Sequence, residues 1–322
     1  MASTDKADPP ALAKESNSQK VIYAAIAANF GIAIAKFATA AITGSAAMLA
    51  EGIHSAVDTG NELLLILGVH HSRRPPDEWH PFGYGKALYF WALIVALSVF
   101  SLGGGVSIYH GILSLLQPPP LQPAVWNYVV LAIAAAFEGF SWNVSRHALN
   151  RQRRSGDSLW QSVRRSKDAS VFTVFIEDSA ALLGIVIAAA GIALGHWLDN
   201  PYIDPAASVL IGTVLLVSAF VLARECGNLL VGESIDRDEI RTLRRLIAAE
   251  PSVEHVGHLL TMQLGPEQIL LTAAIRFKRG MTISEVDCAI ERLEQIIATQ
   301  NAAIKHIFFE SASIKSSFAL EP

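Results

Sequence analysis

Six apolar stretches, about Lys20–Ala41, Ser45–His70, Ala87–Leu116, Val125–Leu149, Val171–Leu198 and Pro205–Val231, dominate the first 231 residues. Each reaches or exceeds the roughly 20 residues a helix needs to cross a hydrocarbon core. In lipid every backbone N–H and C=O must be satisfied within the spanning segment, so this pattern restricts the chain to transmembrane helices. Six are expected. The composition agrees, since 52% hydrophobic and 17% charged residues with a mean hydropathy of +0.37 lie outside the range of ordinary soluble domains.

The second stretch carries Glu51, His54, Asp58 and Glu62, and the fifth carries Glu177 and Asp178. Ionisable groups are costly at membrane depth and face a protein interior or water, so they read as functional. His54 and Asp58 are four apart and share one face of a helix. An imidazole nitrogen and a carboxylate oxygen one turn apart can ligate a divalent transition metal. The plainer alternative is a hydrogen-bonded polar pair that only packs helices. Asn29 and Lys36 of the first stretch and Glu138 of the fourth are expected to face neighbouring helices, Glu138 as proton relay or pairing partner. Gly103-Gly104-Gly105 permits close helix approach.

The loops Ile42–Gly44, Gln117–Ala124 and Asp199–Asp204 contain no Lys or Arg. The alternate connections hold Arg73, Arg74, Arg151, Arg153, Arg154, Arg164, Arg165 and Lys167, so the positive-inside rule puts both termini in the cytosol. Residues 1–18 are polar, of mixed charge, and include Pro9-Pro10, the composition of a disordered tail. They lack the basic start and apolar core of a cleaved signal, and no transit peptide is visible, which favours a bacterial inner (plasma) membrane. A net charge of −4 leaves no basic footprint for a nucleic acid. Cys226 and Cys288 form no disulfide framework.

Beyond Gly232 the composition becomes that of a soluble domain. Ile240, Leu243, Leu246 and Ile247 recur at helical spacing within Asp236–Glu250. A strand over about His255–Leu264, the turn Gly265-Pro266 and the alternating Ile269, Leu271, Ala273, Ile275 and Phe277 read as a hairpin. Thr282 with Glu285 opens a helix to about Thr299 as a capping box, and Ile304–Phe309 reads as a last strand. The order αββαβ gives a small α+β, ferredoxin-like domain. The expected organisation is a tail over 1–18, an all-α six-helix transmembrane domain over 19–232, a cytosolic αββαβ domain over 233–315 and a tail over 316–322.

These features together resemble one family. The six helices, His54-x-x-x-Asp58, the loop His80-Pro81-Phe82-Gly83-Tyr84-Gly85-Lys86, the acidic pair of the fifth helix and the αββαβ domain are similar to the cation diffusion facilitators of zinc-transporting type. The resemblance implies a homodimeric, proton-coupled antiporter that exports Zn²⁺ or a similar ion by alternating access. It implies partners in the lipid bilayer, the metal ion and protons, and no cofactor beyond the transported ion, with Co²⁺, Mn²⁺ or Fe²⁺ compatible besides zinc.

The family's common fifth-helix pattern is His-x-x-x-Asp, whereas Val174 stands four residues before Asp178 here. The resemblance is to the divergent branch that includes a mitochondrial zinc exporter. The implied ligands are His54, Asp58 and Asp178. Glu177 supplies the missing oxygen, carries a coupled proton or pairs with a cation on another helix; Asn61 or a water are further candidates for the open position. Asp77 and His80 fall where the family holds a second metal, weakened here because Tyr84 replaces a histidine. His258 and Glu310 fall where its soluble domain can bind regulatory zinc, the alternative being that His255, His258 and His306 are surface residues on strands, and Lys86 is placed to pair with Glu233. Two other readings stay open: a metal-dependent intramembrane hydrolase with Glu177 as base, although no His-Glu-x-x-His occurs, and a non-transporting metal sensor or scaffold.

Overall fold

The computed structural model describes residues 10–120, 123–151 and 158–311. Helices α1 (Pro10–Thr43), α2 (Ala46–Ser72) and α3 (Ala87–Ser98) come first. A π-helical segment, Val99–Gly105, continues α3 directly into α4 (Val106–Leu116). Then follow α5 (Val125–Arg151), the short α6 (Leu159–Arg165), α7 (Ala169–Trp197) and α8 (Ile203–Val231). The last elements are α9 (Arg237–Ala248), β1 (Val253–Gly265), β2 (Gln268–Phe277), α10 (Ile283–Gln300) and β3 (Ile304–Ser311).

Five described helices are long and apolar enough to cross a membrane: Ile26–Thr43 within α1, Ala87–Leu116, α5, α7 and α8. At 27 residues α2 has the length, but Glu51, Asp58 and Glu62 set it apart from that group. Helix α1 begins at Pro10, so residues 10–18 of the expected tail are helical. Proline suits a first helical position, where its missing N–H and fixed φ cost nothing, and the Ala-Leu-Ala-Lys-Glu run after it is made of strong helix formers. Residues 1–9 of that tail, the tail over 316–322, and Arg153 and Arg154 lie outside the described residues.

Contacts divide the chain into two compact units. The first comprises Met1–Ile66, Ile94–His147 and Thr173–Leu222; the second comprises Leu67–Leu93, Ala148–Phe172 and Ala223–Pro322. The first has a core of small and branched residues, among them Ala47, Met48, Ala134, Ala188 and Ile211. Small residues let these helices approach closely. A Cβ on Gly104 would lie 2.7 Å from Leu216 Cδ2 and 3.0 Å from the Gly212 carbonyl, so the glycine run seats the π segment against α8. In this unit Asp204, in the first turn of α8, accepts the Ser45 hydroxyl and the Ala46 N–H, both at 2.6 Å, and so caps α2.

Within the second unit the elements from α9 onward follow the order αββαβ. The sheet is mixed, in order β1-β2-β3, with β1 and β2 antiparallel and β2 and β3 parallel through the crossover α10. Leu243 and Ile247 of α9 and Leu293 and Ile297 of α10 join Leu271, Ala273 and Ile275 of β2 in one core. Each helical pair is four apart and fully buried, as an apolar stripe requires. The Thr282–Glu285 capping box is formed, and Asp236 caps α9 by accepting the Asp238 N–H. The short α6 and its Ser158–Gln161 capping box went unforeseen inside a loop read only for its charge.

Candidate metal-binding site

Helix α2 carries an unusual density of buried polar side chains. Glu51, His54, Ser55 and Asn61 are all at most 3% exposed, which only internal partners or a ligand can justify in an apolar setting. Lys36 of α1 supplies one partner set: its Nζ lies 2.8 Å from Glu51 Oε2 and donates to Ser55 Oγ at 2.8 Å. Asn29 donates to Glu62 Oε1 at 2.6 Å. The first helix thus faces the second with its polar residues, as its pattern predicted.

His54 is different. Its Nδ1 stands 3.4 Å from Asp58 Oδ1 across one helical turn, yet both ring nitrogens and that carboxylate oxygen are buried without a hydrogen bond. Buried polar atoms are almost always paired, so three such atoms left together without hydrogen bonds make this the chain's candidate ligand site. Across from α2, Glu177 and Asp178 of α7 are each 8% exposed. Asp58 lies in the field of Glu177, Glu138, Lys36 and Asp178, so the structure gathers all four sequence candidates into one electrostatic neighbourhood. It does not close them into a ligand cage: among the described residues no three His, Cys, Asp or Glu side chains are grouped to hold a metal ion.

The two acidic neighbours on α7 part company, as the 100° between successive helical positions requires. Glu177 Oε1 accepts the Asn61 Nδ2 hydrogen at 2.7 Å. Asp178 is hydrogen-bonded by Ser141 of α5, while its Oδ2 is buried without a partner. Glu138 of α5 is 7% exposed and faces inward, in the field of Lys36, Glu51 and Glu62. Asn61, read as a spare ligand, instead holds Glu177 in place. Its spacing one turn beyond Asp58 was the available signal, and the amide's ability to donate as well as accept was the part overlooked.

In the second unit the loop residues Asp77 and His80 are close, with His80 Nδ1 3.3 Å from Asp77 Oδ1. Tyr84 donates its hydroxyl hydrogen to Asp77 Oδ2 at 2.7 Å, and this bond above all holds the Asp77 carboxyl below its ordinary value while raising the Tyr84 phenol. The residue that replaces a histidine therefore engages the carboxylate that a metal would need. His258 and Glu310 approach within 3.6 Å across the sheet. Lys86 does not meet Glu233: its ammonium lies 3.3 Å from the Leu230 carbonyl and 3.7 Å from Met262 Sδ, and Glu233 pairs with Lys167 at 3.0 Å. Lys167 stands just before α7 in the basic connection, which sequence reading used only for topology.

Comparison with known proteins gives this geometry its context. A family model for the cation efflux transmembrane domain matches residues 22–231. The chain is similar to a Xenopus laevis protein named proton-coupled zinc antiporter SLC30A9, mitochondrial, at 34% identity over 285 residues, covering 86% of this chain and 51% of that protein. The human protein of the same name is 36% identical over 260 residues, covering 80% and 46%. The manganese efflux system protein MneP of Bacillus subtilis is 25% identical over 284 residues, covering 84% and 88%.

The chain spans about half the length of the first two relatives. Their mitochondrial naming conflicts with the expected bacterial inner membrane, which rested on one end of a chain that matches only part of them. The resemblance to the mitochondrial zinc-exporter branch holds, and the chain is an integral membrane protein with apolar helices. Family membership places it with transporters rather than catalytic enzymes, which overturns the intramembrane-hydrolase alternative. The chain belongs to the cation efflux family.

Proposed function

We propose that this protein is a proton-coupled antiporter that exports Zn²⁺ from the cytosol by alternating access, working as a homodimer in the bilayer. The observation that carries the reading is His54: a buried imidazole with both nitrogens unbonded, one turn from the unbonded Asp58 Oδ1. One nitrogen and carboxylate oxygens form a borderline donor set that suits Zn²⁺, with Co²⁺, Mn²⁺ or Fe²⁺ as lesser substrates. The zinc antiporter names of the relatives support the same ion.

In this reading α2 is the sixth spanning helix, made tolerable in lipid by its buried pairs with α1. Residues 19–232 form the membrane domain, and residues 233–315 form a ferredoxin-like cytosolic domain. Both termini are cytosolic on the positive-inside rule. His54, Asp58 and Asp178 bind the ion, and Glu177 is held by Asn61 beside them. Asp77 with His80, and His258 with Glu310, are at most weak secondary metal sites.

The coupling follows from the ligand chemistry. A metal-binding imidazole must be neutral and the carboxylates ionised, so metal and protons compete for the same atoms. Metal arriving from the cytosol displaces protons. Helix rearrangement exposes the site to the other side, where protons rebind and release the ion. The separation of α2 and α7 ligands in this structure is consistent with a state in which the set is not drawn together. The test is zinc flux in proteoliposomes: an outward-directed zinc movement that follows an imposed pH gradient and stops with a protonophore supports antiport. Zinc binding without any flux would replace it with a sensor.

A further inference from the structure

Both helices of the αββαβ domain cover one face of its sheet, the face of Leu271, Ala273 and Ile275. Side chains alternate across a strand, so Leu270 of β2 points to the other face, together with Met262, its register partner on β1. Leu260 and Phe308 continue that second face and are 50% and 51% exposed. At Met262 and Leu270 it opens into a groove of about 630 Å³ that lies wholly within the second unit. Phe90 and Trp91 near the start of α3, Leu230 in the last turn of α8, and Leu264 complete its apolar lining. The volume falls in the roughly 300–1,000 Å³ range of organic-ligand pockets and is far too large for an ion.

One charge stands in this apolar wall. Lys86 lines the groove, and its ammonium reaches only the Leu230 carbonyl at 3.3 Å and Met262 Sδ at 3.7 Å, while Glu233 is taken by Lys167. Both contacts are to neutral acceptors, so among the described residues the charge has no acidic partner. A half-buried ammonium of this kind asks for an anion. The rim is already built: Phe82 packs edge-on against His306 with ring centroids 5.1 Å apart, and the Tyr84 ring lies 4.1 Å from that of His80. Helix α3 starts and α8 ends here, and both belong to apolar stretches long enough to cross a membrane. The groove therefore lies at headgroup level, where Trp91 and the 87% exposed Trp79 suit an interface.

We propose that this groove binds an anionic phospholipid, with the phosphate on Lys86 and an acyl chain along Met262, Leu270, Phe90 and Trp91. An apolar trough with a single cation at its edge matches an amphiphile whose one charge is negative, and basic pockets at helix ends on the positively charged side of a membrane hold such headgroups. Arg73 and Arg74, exposed on the loop that leads to Lys86, add to the attraction. A lipid seated there ties the ends of α3 and α8 to the sheet. The inference does not rest on the transport reading, because lipid retention is read without any flux.

The experiment extracts the full-length chain from vesicles of phosphatidylcholine and phosphatidylglycerol in equal amounts and counts the phospholipid retained per chain by native mass spectrometry. Wild type should keep phosphatidylglycerol over phosphatidylcholine by about fivefold, the effect of one lysine near an anionic headgroup. Lys86→Met should abolish that preference and Lys86→Arg should keep it. Leu270→Trp fills the groove and should reduce retention of both lipids; should that variant fail to fold, the two Lys86 variants decide alone. Equal retention of the two lipids by wild type, or an unchanged preference in Lys86→Met, overturns the proposal. Dimeric wild type that retains no phospholipid would assign the groove to a second copy of the chain and overturn it as well.

Discussion

Asn61 Nδ2 donates to Glu177 Oε1 at 2.7 Å, joining α2 to α7 one helical turn beyond Asp58. Both residues are buried. Asp178, its chain neighbour, points elsewhere on the helix and has an oxygen without a hydrogen-bond partner. Two adjacent carboxylates therefore take two environments, one bonded by an amide of α2 and one bonded by Ser141 of α5 with its second oxygen unpaired.

That division predicts unequal mutants. Glu177→Gln keeps an acceptor for Asn61, so it should retain most zinc binding, whereas Asp178→Asn should lose it. Asn61→Leu strips Glu177 of its donor and should cost about 1–3 kcal/mol, the penalty for an unmatched buried polar group. Thermal unfolding in detergent, beside zinc binding, reads both effects.

The Lys36–Glu51 pair lies wholly buried at 2.8 Å. Removing one partner leaves an uncompensated charge, with a cost of about 3–5 kcal/mol, while replacing both by apolar residues of similar size is near neutral. Lys36→Met and Glu51→Leu should each lower the unfolding temperature of the detergent-solubilised protein sharply, and the double variant should recover most of it. Additive losses in the double variant would contradict the pairing. A Cβ on Gly184 would press on Glu51 Oε1, so Gly184→Ala should disturb the same pair.

In the loop before α3 the Tyr84 hydroxyl holds the Asp77 carboxyl below its ordinary value. A depressed folded-state carboxylate contributes stability above its unfolded pKa of about 3.9 and loses it as pH falls through the lower folded value. Order in residues 77–84, followed by amide hydrogen exchange, should therefore persist below pH of about 4 in wild type. Tyr84→Phe should shift its loss upward in pH. An unchanged profile would mean the phenol does not govern Asp77.

Thr282→Ala removes the side-chain half of the α10 capping box, the hydroxyl that accepts the Glu285 N–H, while the backbone N–H of residue 282 still reaches the Glu285 carboxylate, and it should destabilise the domain around the sheet by about 1 kcal/mol. The Glu285 carboxyl is likewise held low, first by the Thr282 backbone N–H. The variant keeps that backbone bond and loses the hydroxyl's smaller share, so the part of the difference carried by the Glu285 carboxylate should be present above about pH 4.3 and shrink as pH falls through the folded value, while the loss of the acceptor for the Glu285 N–H persists at every pH. Chemical denaturation of the full chain at two pH values checks this.

Much of this architecture is legible in residue order. Long apolar runs permit little but helices in lipid, and the capping box Thr282–Glu285, the Gly265-Pro266 turn and the alternation around Leu271 mark α10 and the hairpin without reference to any contact. The polar positions His54, Asp58, Glu177 and Asp178 stand out because charge is rare in such segments. What sequence order cannot supply is partner choice between distant elements. Lys86 and Glu233 have opposite charges, yet Glu233 meets Lys167, and Lys86 reaches a carbonyl and a thioether. Asp204 looked like a loop residue, and only folding brings it to the first turn of α2, 158 positions away from Ala46. The ten extra residues of α1 lacked an apolar pattern, so composition pointed to a tail where helix propensity prevailed.

The most direct test is zinc flux into proteoliposomes under an imposed pH gradient for wild type, Asp58→Asn and Asp178→Asn at matched reconstitution. An ion path through these carboxylates predicts proton-dependent flux in wild type and at least a tenfold loss in each variant, with folded protein in all three. Wild-type flux that survives in both variants would contradict it.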